Sequence, residues 1–343
     1  MLISDFNYEL PDELIAQNPL EKRENSRMLV VNHADKSFED EHFYNFTKFL
    51  KKDDVIVLNN TKVFPARLYG KSETGTKVEL LLVSEIENQT WETLARPARR
   101  LSAGKKIFFS ENLTAEVLEK TDAGRVIVKF ASDRDFNEIL DKIGQTPLPP
   151  YIKRENDNLD KDRERYQTVF AKKRGAIAAP TAGLHFTPQI LDEIKNLGVC
   201  ITEITLHVGY GTFEPVRVSD LSEHKVLPEL CEISNETAEI LNKAKAENRR
   251  IIAIGTTTTR ALESSIDENR KILAGKRLAD LTITPDYKFQ VINGLLTNFH
   301  LPQSSLLVLV STFGGYEFIM KAYKHAVESN YRFYSYGDCM FIF

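Results

Sequence analysis

The sequence predicts an α/β protein: a largely parallel sheet with flanking helices, carrying an inserted six-stranded β-barrel domain. Three observations predict it. Short apolar runs end in polar loops from which helices start, as at Ile251–Ile254 before Gly255-Thr256-Thr257. From about Ala66 to Phe130 the texture changes to short β-rich runs separated by Gly, Asn and Asp turns. Beyond that stretch strand and helix alternate again to the end of the chain, which is the pattern of a parallel sheet.

Met28 to Val31 and Val55 to Leu58 read as buried strands, the second running into Asn59-Asn60-Thr61-Lys62. The runs 66–69, 77–83, 91–95, 106–109, 113–119 and 125–130 supply the six barrel strands. A helix through Phe136, Ile139, Leu140 and Ile143 then stops at Gly144, and Pro147, Pro149 and Pro150 form a stiff connector. The boundary falls there: residues 1–65 and 149–343 are expected to form the α/β domain and 66–148 the barrel. The mixed charge of Tyr151 to Gln167 reads as an exposed loop or surface helix.

Thr187 stands where an N-cap belongs, Pro188 takes the first helical position, and Ile190, Leu191, Ile194 and Leu197 follow at helical spacing to Gly198. Ile201 to Leu206 is a strand, Ser234 opens a helix carrying Ala238, Leu241 and Ala244, and Ile251 to Ile254 is a strand. Leu306 to Val310 and Tyr331 to Tyr336 read as two more strands, joined by a helix whose Ile319, Ala322, Tyr323 and Ala326 share a face.

With 343 residues and a formal net charge of −4, the chain is not held to nucleic acid by its overall field, so an RNA site must be a local patch. Two patches qualify: Arg96, Arg99 and Arg100 followed by Lys105 and Lys106, and the run Lys172-Lys173-Arg174. Cys200, Cys231 and Cys339 are few and far apart, which points to a reducing compartment, the cytoplasm, and to no cysteine metal site. Met1 to Pro11 lacks the pattern of a targeting segment and no apolar run reaches spanning length, so no membrane is expected.

The residues that carry chemistry lie at expected strand ends. His185 closes the loop Ala178-Ala179-Pro180-Thr181-Ala182-Gly183-Leu184, in which Thr181 is a candidate substrate contact. His207, His300 and Asp338 occupy comparable positions. For each histidine taken alone, a hydrogen-bonded structural role is the competing reading. Gly255, Thr256 and Thr257 at a helix start suit a carboxylate or phosphate, and Arg260 adds charge. There is no G-x-G-x-x-G or Walker pattern, no metal spacing among the histidines and no serine in a nucleophile elbow. What remains is acid-base chemistry on a bound small molecule.

Taken together, Ala178 to Phe186, Leu206 to Val216, Thr297-Asn298-Phe299-His300-Leu301-Pro302 and Tyr336-Gly337-Asp338 resemble the S-adenosylmethionine:tRNA ribosyltransferase-isomerases of queuosine biosynthesis. Arg163 to Val169 and Asp54 to Thr61 fit the same family, so the resemblance runs nearly end to end. It implies S-adenosylmethionine as co-substrate and ribosyl donor, and no metal. It also implies a tRNA with a GUN anticodon carrying 7-aminomethyl-7-deazaguanine, and epoxyqueuosine as the product. The expected acid-base groups are His185 first, then His207 and His300, with Asp338 balancing the sulfonium or orienting a histidine. Arg99, Arg100, Lys172, Lys173 and Arg174 are expected on tRNA phosphates, and the chain is expected to be a monomer. Two positions depart from the family pattern: a second histidine common after Glu223-His224 is Leu227 here, and the glycine usual before Tyr287 is Asp286.

Overall fold

The structure, a computed structural model, describes residues 1–121, 124–154, 159–213 and 215–343. Residues 155–158 of the charged stretch and Glu214 of the 206–216 motif lie outside the described residues.

The chain opens with β1 (Arg27–Asn32), β2 (Ser37–His42), β3 (Val55–Asn59) and β4 (Thr61–Val63). Side chains alternate between faces along a strand, so Leu29, Val31, Val55 and Val57 enter one core while Met28, Val30, Ile56 and Leu58 enter another. Burial on both faces explains why these strands read as unbroken apolar runs. The barrel follows as β5 (Arg67–Ser72), β6 (Lys77–Glu87), β7 (Thr90–Arg96), β8 (Lys106–Ser110), β9 (Leu113–Lys120) and β10 (Val126–Ser132). Every pairing in it is antiparallel, and β9 to β10 closes the ring, leaving no open edge. The next helix, α1 (Phe136–Ile143), is capped by the Asp135 side chain and packs Phe136, Ile139 and Leu140 into the barrel core.

Beyond the connector come α2 (Leu159–Arg165), β11 (Lys173–Ala176), α3 (Pro188–Asn196), β12 (Cys200–Leu206), β13 (Glu229–Ile233), α4 (Asn235–Ala246) and β14 (Ile251–Ile254). The chain ends with α5 (Thr256–Glu263), β15 (Gly275–Ala279), β16 (Gly294–Asn298), α6 (Ser305–Gly314), α7 (Tyr316–Glu328) and β17 (Cys339–Ile342). Thr187 and Ser234 cap α3 and α4 through their hydroxyls, as their positions in the sequence require.

Nine strands form the main sheet in the order β15-β13-β12-β3-β14-β16-β17-β1-β2. Its centre, β12-β3-β14-β16, is parallel, whereas β13, β15 and β2 add antiparallel edges and β17 runs antiparallel to β16. The parallel character is thus a property of the centre. The last helices pack on one face of this sheet, and α3 with Phe43 and Phe46 on the other.

Two expected strands are corrected. Leu306 to Val310 is helical, inside α6, whose Ser304 cap accepts from the Leu307 amide. A short apolar run buried all round has no strand or helix period of its own, and here the cap decides. Tyr331 to Tyr336 is a turn rather than a strand: Tyr334 has φ +73, and Tyr331 and Phe333 are buried from an irregular backbone. The strand at this end of the chain is β17. Among the described residues no single helix is long and apolar enough to cross a membrane.

Candidate active site

At the carboxyl ends of β14 and β16 lies a cleft of about 550 Å³, counting its open mouth. Its walls come from Ala178 to Ala182, Gly255-Thr256-Thr257, Thr297 to His300, Tyr151, Tyr166, Tyr334 and Ser335. This is where an open α/β sheet presents ligand groups. The structure brings Thr181, Gly255, Thr256, Thr257 and His300 together there.

The α5 end of the cleft is built by Gly255, which turns at φ +94 and gives the helix no side-chain cap. Its first amides are therefore left without a capping side-chain oxygen, an arrangement that suits an anionic group. Of the four threonines, Thr258 and Thr259 turn their hydroxyls onto the carbonyls of Ile254 and Gly255, and Thr256 and Thr257 are left on the cleft wall. One other polar atom of a cleft residue, the Tyr166 hydroxyl, is buried and makes no regular hydrogen bond. Buried polar atoms without partners mark a place where a ligand can supply them.

His300 is 5% exposed, and its Nε2 lies 2.8 Å from Thr297 Oγ1. Its backbone is tied on both sides: the amide donates to Tyr323 Oη at 3.1 Å, and the carbonyl accepts from Tyr8 Oη at 2.5 Å. Burial pushes its pKa down to about 3. The ring is therefore neutral at physiological pH, and the threonine hydroxyl can give a proton to it or accept one from it.

His185 stands one layer behind. The strand, loop and helix order around it holds, but β11 pairs only with β4, so its loop hangs from a two-stranded ribbon beside the main sheet. Its Nδ1 meets Ser26 Oγ at 2.7 Å and the ring packs against Phe43. Burial pushes its pKa down to about 4, against the opposing pull of the Asn298 side chain. Asn298 lines the threonine cleft, so it stands between that space and His185.

The remaining predicted residues lie elsewhere. His207 is half-buried with its Nδ1 on Thr61 Oγ1 at 2.8 Å; burial and then Lys173 lower its pKa, and it does not line the cleft. Asp338 reaches the cleft end of the sheet because β17 runs antiparallel to β16, pairing Cys339 with Asn298. Its two oxygens, however, accept from the amides of Arg27 and Arg332 at 3.0 and 2.8 Å, which makes it a clamp on the turn. Burial raises its pKa. Arg260 points away from the cleft into a buried ion pair with Glu229 at 2.6 Å and also donates to the carbonyls of Leu227 and Ala279.

The two basic patches differ. Lys172, Lys173 and Arg174 each meet an acid, Glu203, Glu232 and Asp141, at 2.6 to 2.8 Å. Arg99 and Arg100 are exposed in the turn between β7 and β8. Sequence reasoning did not single out Thr297, Asn298, Tyr166 or Ser335 as wall residues. The first three sit inside motifs quoted above, so a signal was present; Ser335 and Tyr151 had none.

A family model described as queuosine biosynthesis protein matches residues 3–342. The chain belongs to the queuosine biosynthesis protein family. Two relatives named S-adenosylmethionine:tRNA ribosyltransferase-isomerase are similar from end to end. One from Fusobacterium nucleatum is 48% identical over 99% of this chain and 97% of its own, and one from Carboxydothermus hydrogenoformans is 49% identical over the whole of both. A solved structure titled S-adenosylmethionine tRNA ribosyltransferase, from Thermotoga maritima, has a TM-score of 0.56 and 33% identity, covering 99% of this chain and 100% of that one. Family membership makes the chain an enzyme of the transferase-isomerase kind, and the threonine cleft is its candidate active site.

Proposed function

We propose that this enzyme transfers and isomerises the ribosyl moiety of S-adenosylmethionine onto 7-aminomethyl-7-deazaguanine at the wobble position of a GUN-anticodon tRNA. The product is epoxyqueuosine-tRNA, with adenine and methionine released. The observation that carries this reading is the end-to-end similarity to relatives bearing that name at about half identity. The cleft supports it chemically. An uncapped helix start with two threonines on the cleft wall suits the carboxylate or ribose of the co-substrate.

A sulfonium acidifies the adjacent C5′ hydrogens, so a neutral base beside it can take one proton and start the opening of the ribose. Adenine needs a proton as it leaves, and the same group can return the one it took. The freed carbon framework bonds to the acceptor amine, and closure of the epoxide expels methionine as a neutral thioether. In this reading His300, in the cleft and already neutral, is the acid-base group, and Thr297 sets its orientation. His185 acts through Asn298, as a positioning residue.

Incubating the enzyme with S-adenosylmethionine and precursor tRNA, followed by mass analysis of the small products, tests the reading. Adenine plus methionine supports it. S-adenosylhomocysteine would show methyl transfer instead, and RNA binding without consumption of S-adenosylmethionine would show a binding module.

A further inference from the structure

Next to the threonine cleft, and sharing Ser335 with it, is a second cleft of about 330 Å³. Arg23, Arg165 and Arg332 line it together with Ser26 and His185, and no carboxylate does. The three guanidinium groups are held in place by main-chain oxygens. Arg165 donates to the carbonyls of Leu20 and Glu21 at 2.6 and 2.9 Å, Arg23 to that of Gln167 at 3.2 Å, and Arg332 to that of Asn18. Neutral carbonyls fix the forks without cancelling their charge.

Two buried guanidinium donors remain. Arg165 Nε and Arg332 Nη1 have no hydrogen-bond partner, whereas the His185 ring is engaged by Ser26 and the Asn298 side chain. Arginine nitrogens are always donors, and an unmet buried donor costs roughly 1–3 kcal/mol, so such atoms are rare and do not gather by chance. Burial first and then the neighbouring Arg165 lower the pKa of Arg23, against the opposing pull of Glu164 and Glu24. An anion with several acceptor oxygens relieves both the repulsion and the unmet donors.

We infer that this cleft binds a backbone phosphate of the tRNA next to the reacting nucleotide, an assignment that rests on the tRNA reading above. A carboxylate on the co-substrate has the same oxyanion chemistry. The polynucleotide is favoured because Arg23 also lines a larger cleft, about 940 Å³, which leads past Lys62, Arg163 and Arg174 toward the barrel. Asp141, which pairs with Arg163 and Arg174, and Glu164 line it too, so among the described residues Arg23 and Lys62 are its cations without an ion-pair partner. A chain of phosphates has use for a path that runs on from the first cleft; a single carboxylate does not.

The test compares Arg23→Gln and Arg165→Lys with the unaltered enzyme. Precursor-tRNA affinity is measured between about 50 and 200 mM salt, S-adenosylmethionine affinity by equilibrium dialysis, and folding by thermal melting. Arg23→Gln should weaken tRNA binding about tenfold and reduce the salt slope by about one, with S-adenosylmethionine affinity within about twofold. Arg165→Lys keeps the charge but loses the fork, so affinity should fall with the slope unchanged. Should Arg23→Gln melt early, Arg165→Lys carries the test, because a purely structural role scales with the folded fraction. Unchanged tRNA affinity and slope in folded variants overturn the assignment while leaving the tRNA reading intact. So does weakened S-adenosylmethionine binding with unchanged tRNA affinity, which gives the cleft to the co-substrate carboxylate. If the unaltered enzyme binds no tRNA, the reading itself falls and this assignment with it.

Discussion

Thr297, near the end of β16, and His300, in the loop that follows, are joined hydroxyl to Nε2 at 2.8 Å, with both side chains buried. The threonine holds the ring through Nε2 and so sets its orientation. Replacing Thr297 with Val keeps the volume and removes the partner. Turnover per folded molecule should fall about tenfold or more, with tRNA affinity unchanged, and Thr297→Ser should restore most of it. Single-turnover release of adenine measures this directly.

Two buried neutral histidines make stability depend on pH. His185 and His300 titrate at about 4 and about 3 in the folded chain, whereas an unfolded histidine titrates near 6.5. Below about 6.5 the unfolded chain binds protons that the folded chain refuses. The stabilisation is therefore complete above that pH and is lost as pH falls toward 4 and 3, at up to about 1.4 kcal/mol per pH unit per histidine. Urea unfolding at a series of pH values from neutral to mildly acidic should show this slope. His300→Gln should reduce it by about one proton, and equal slopes would contradict the burial argument.

Arg260 is assigned to the scaffold. Its ion pair with Glu229 is buried on both sides, and Glu229 Oε1 also accepts from the Gly209 amide. Arg260→Ala removes the pairing charge from a buried carboxylate, which costs about 3–5 kcal/mol. Thermal melting should fall by many degrees, while S-adenosylmethionine affinity of the folded fraction stays the same. Weakened binding without lost stability would return Arg260 to the site.

The basic patches give opposite expectations. Replacing Arg99 and Arg100 with Ala should weaken tRNA binding and lower the salt slope by about two, since both are exposed. Replacing Lys172 and Lys173 should change the slope less, because Glu203 and Glu232 already neutralise them. Filter binding across a salt series separates the two cases.

Most of the fold was legible because its signals are local. Thr187-Pro188 and Ser234 mark helix starts through hydrogen bonds to amides two or three residues on, and the barrel strands are bounded by turn residues in the sequence itself. The errors fall where tertiary packing decides. Leu306 to Val310 is apolar on every side because α6 is buried, so period could not assign it. Tyr331 and Phe333 are aromatic because they fill a core from a turn, a role that imitates a strand. The cleft was legible in part: Gly255 to Thr257 and His300 carry their chemistry in short motifs. Arg23, Arg165 and Arg332 come from three distant stretches that only folding brings together; Arg165 lies in the motif Arg163 to Val169, but nothing in the sequence around Arg23 and Arg332 ties them to it.

The central claim is that His300, rather than His185, moves the proton in the threonine cleft. The most direct measurement is the single-turnover rate of adenine release, per folded molecule and at saturating tRNA, for His300→Asn and His185→Asn. A roughly hundredfold or greater loss for His300→Asn, with a smaller loss for His185→Asn, is the result expected. Near-normal release by His300→Asn would contradict the account.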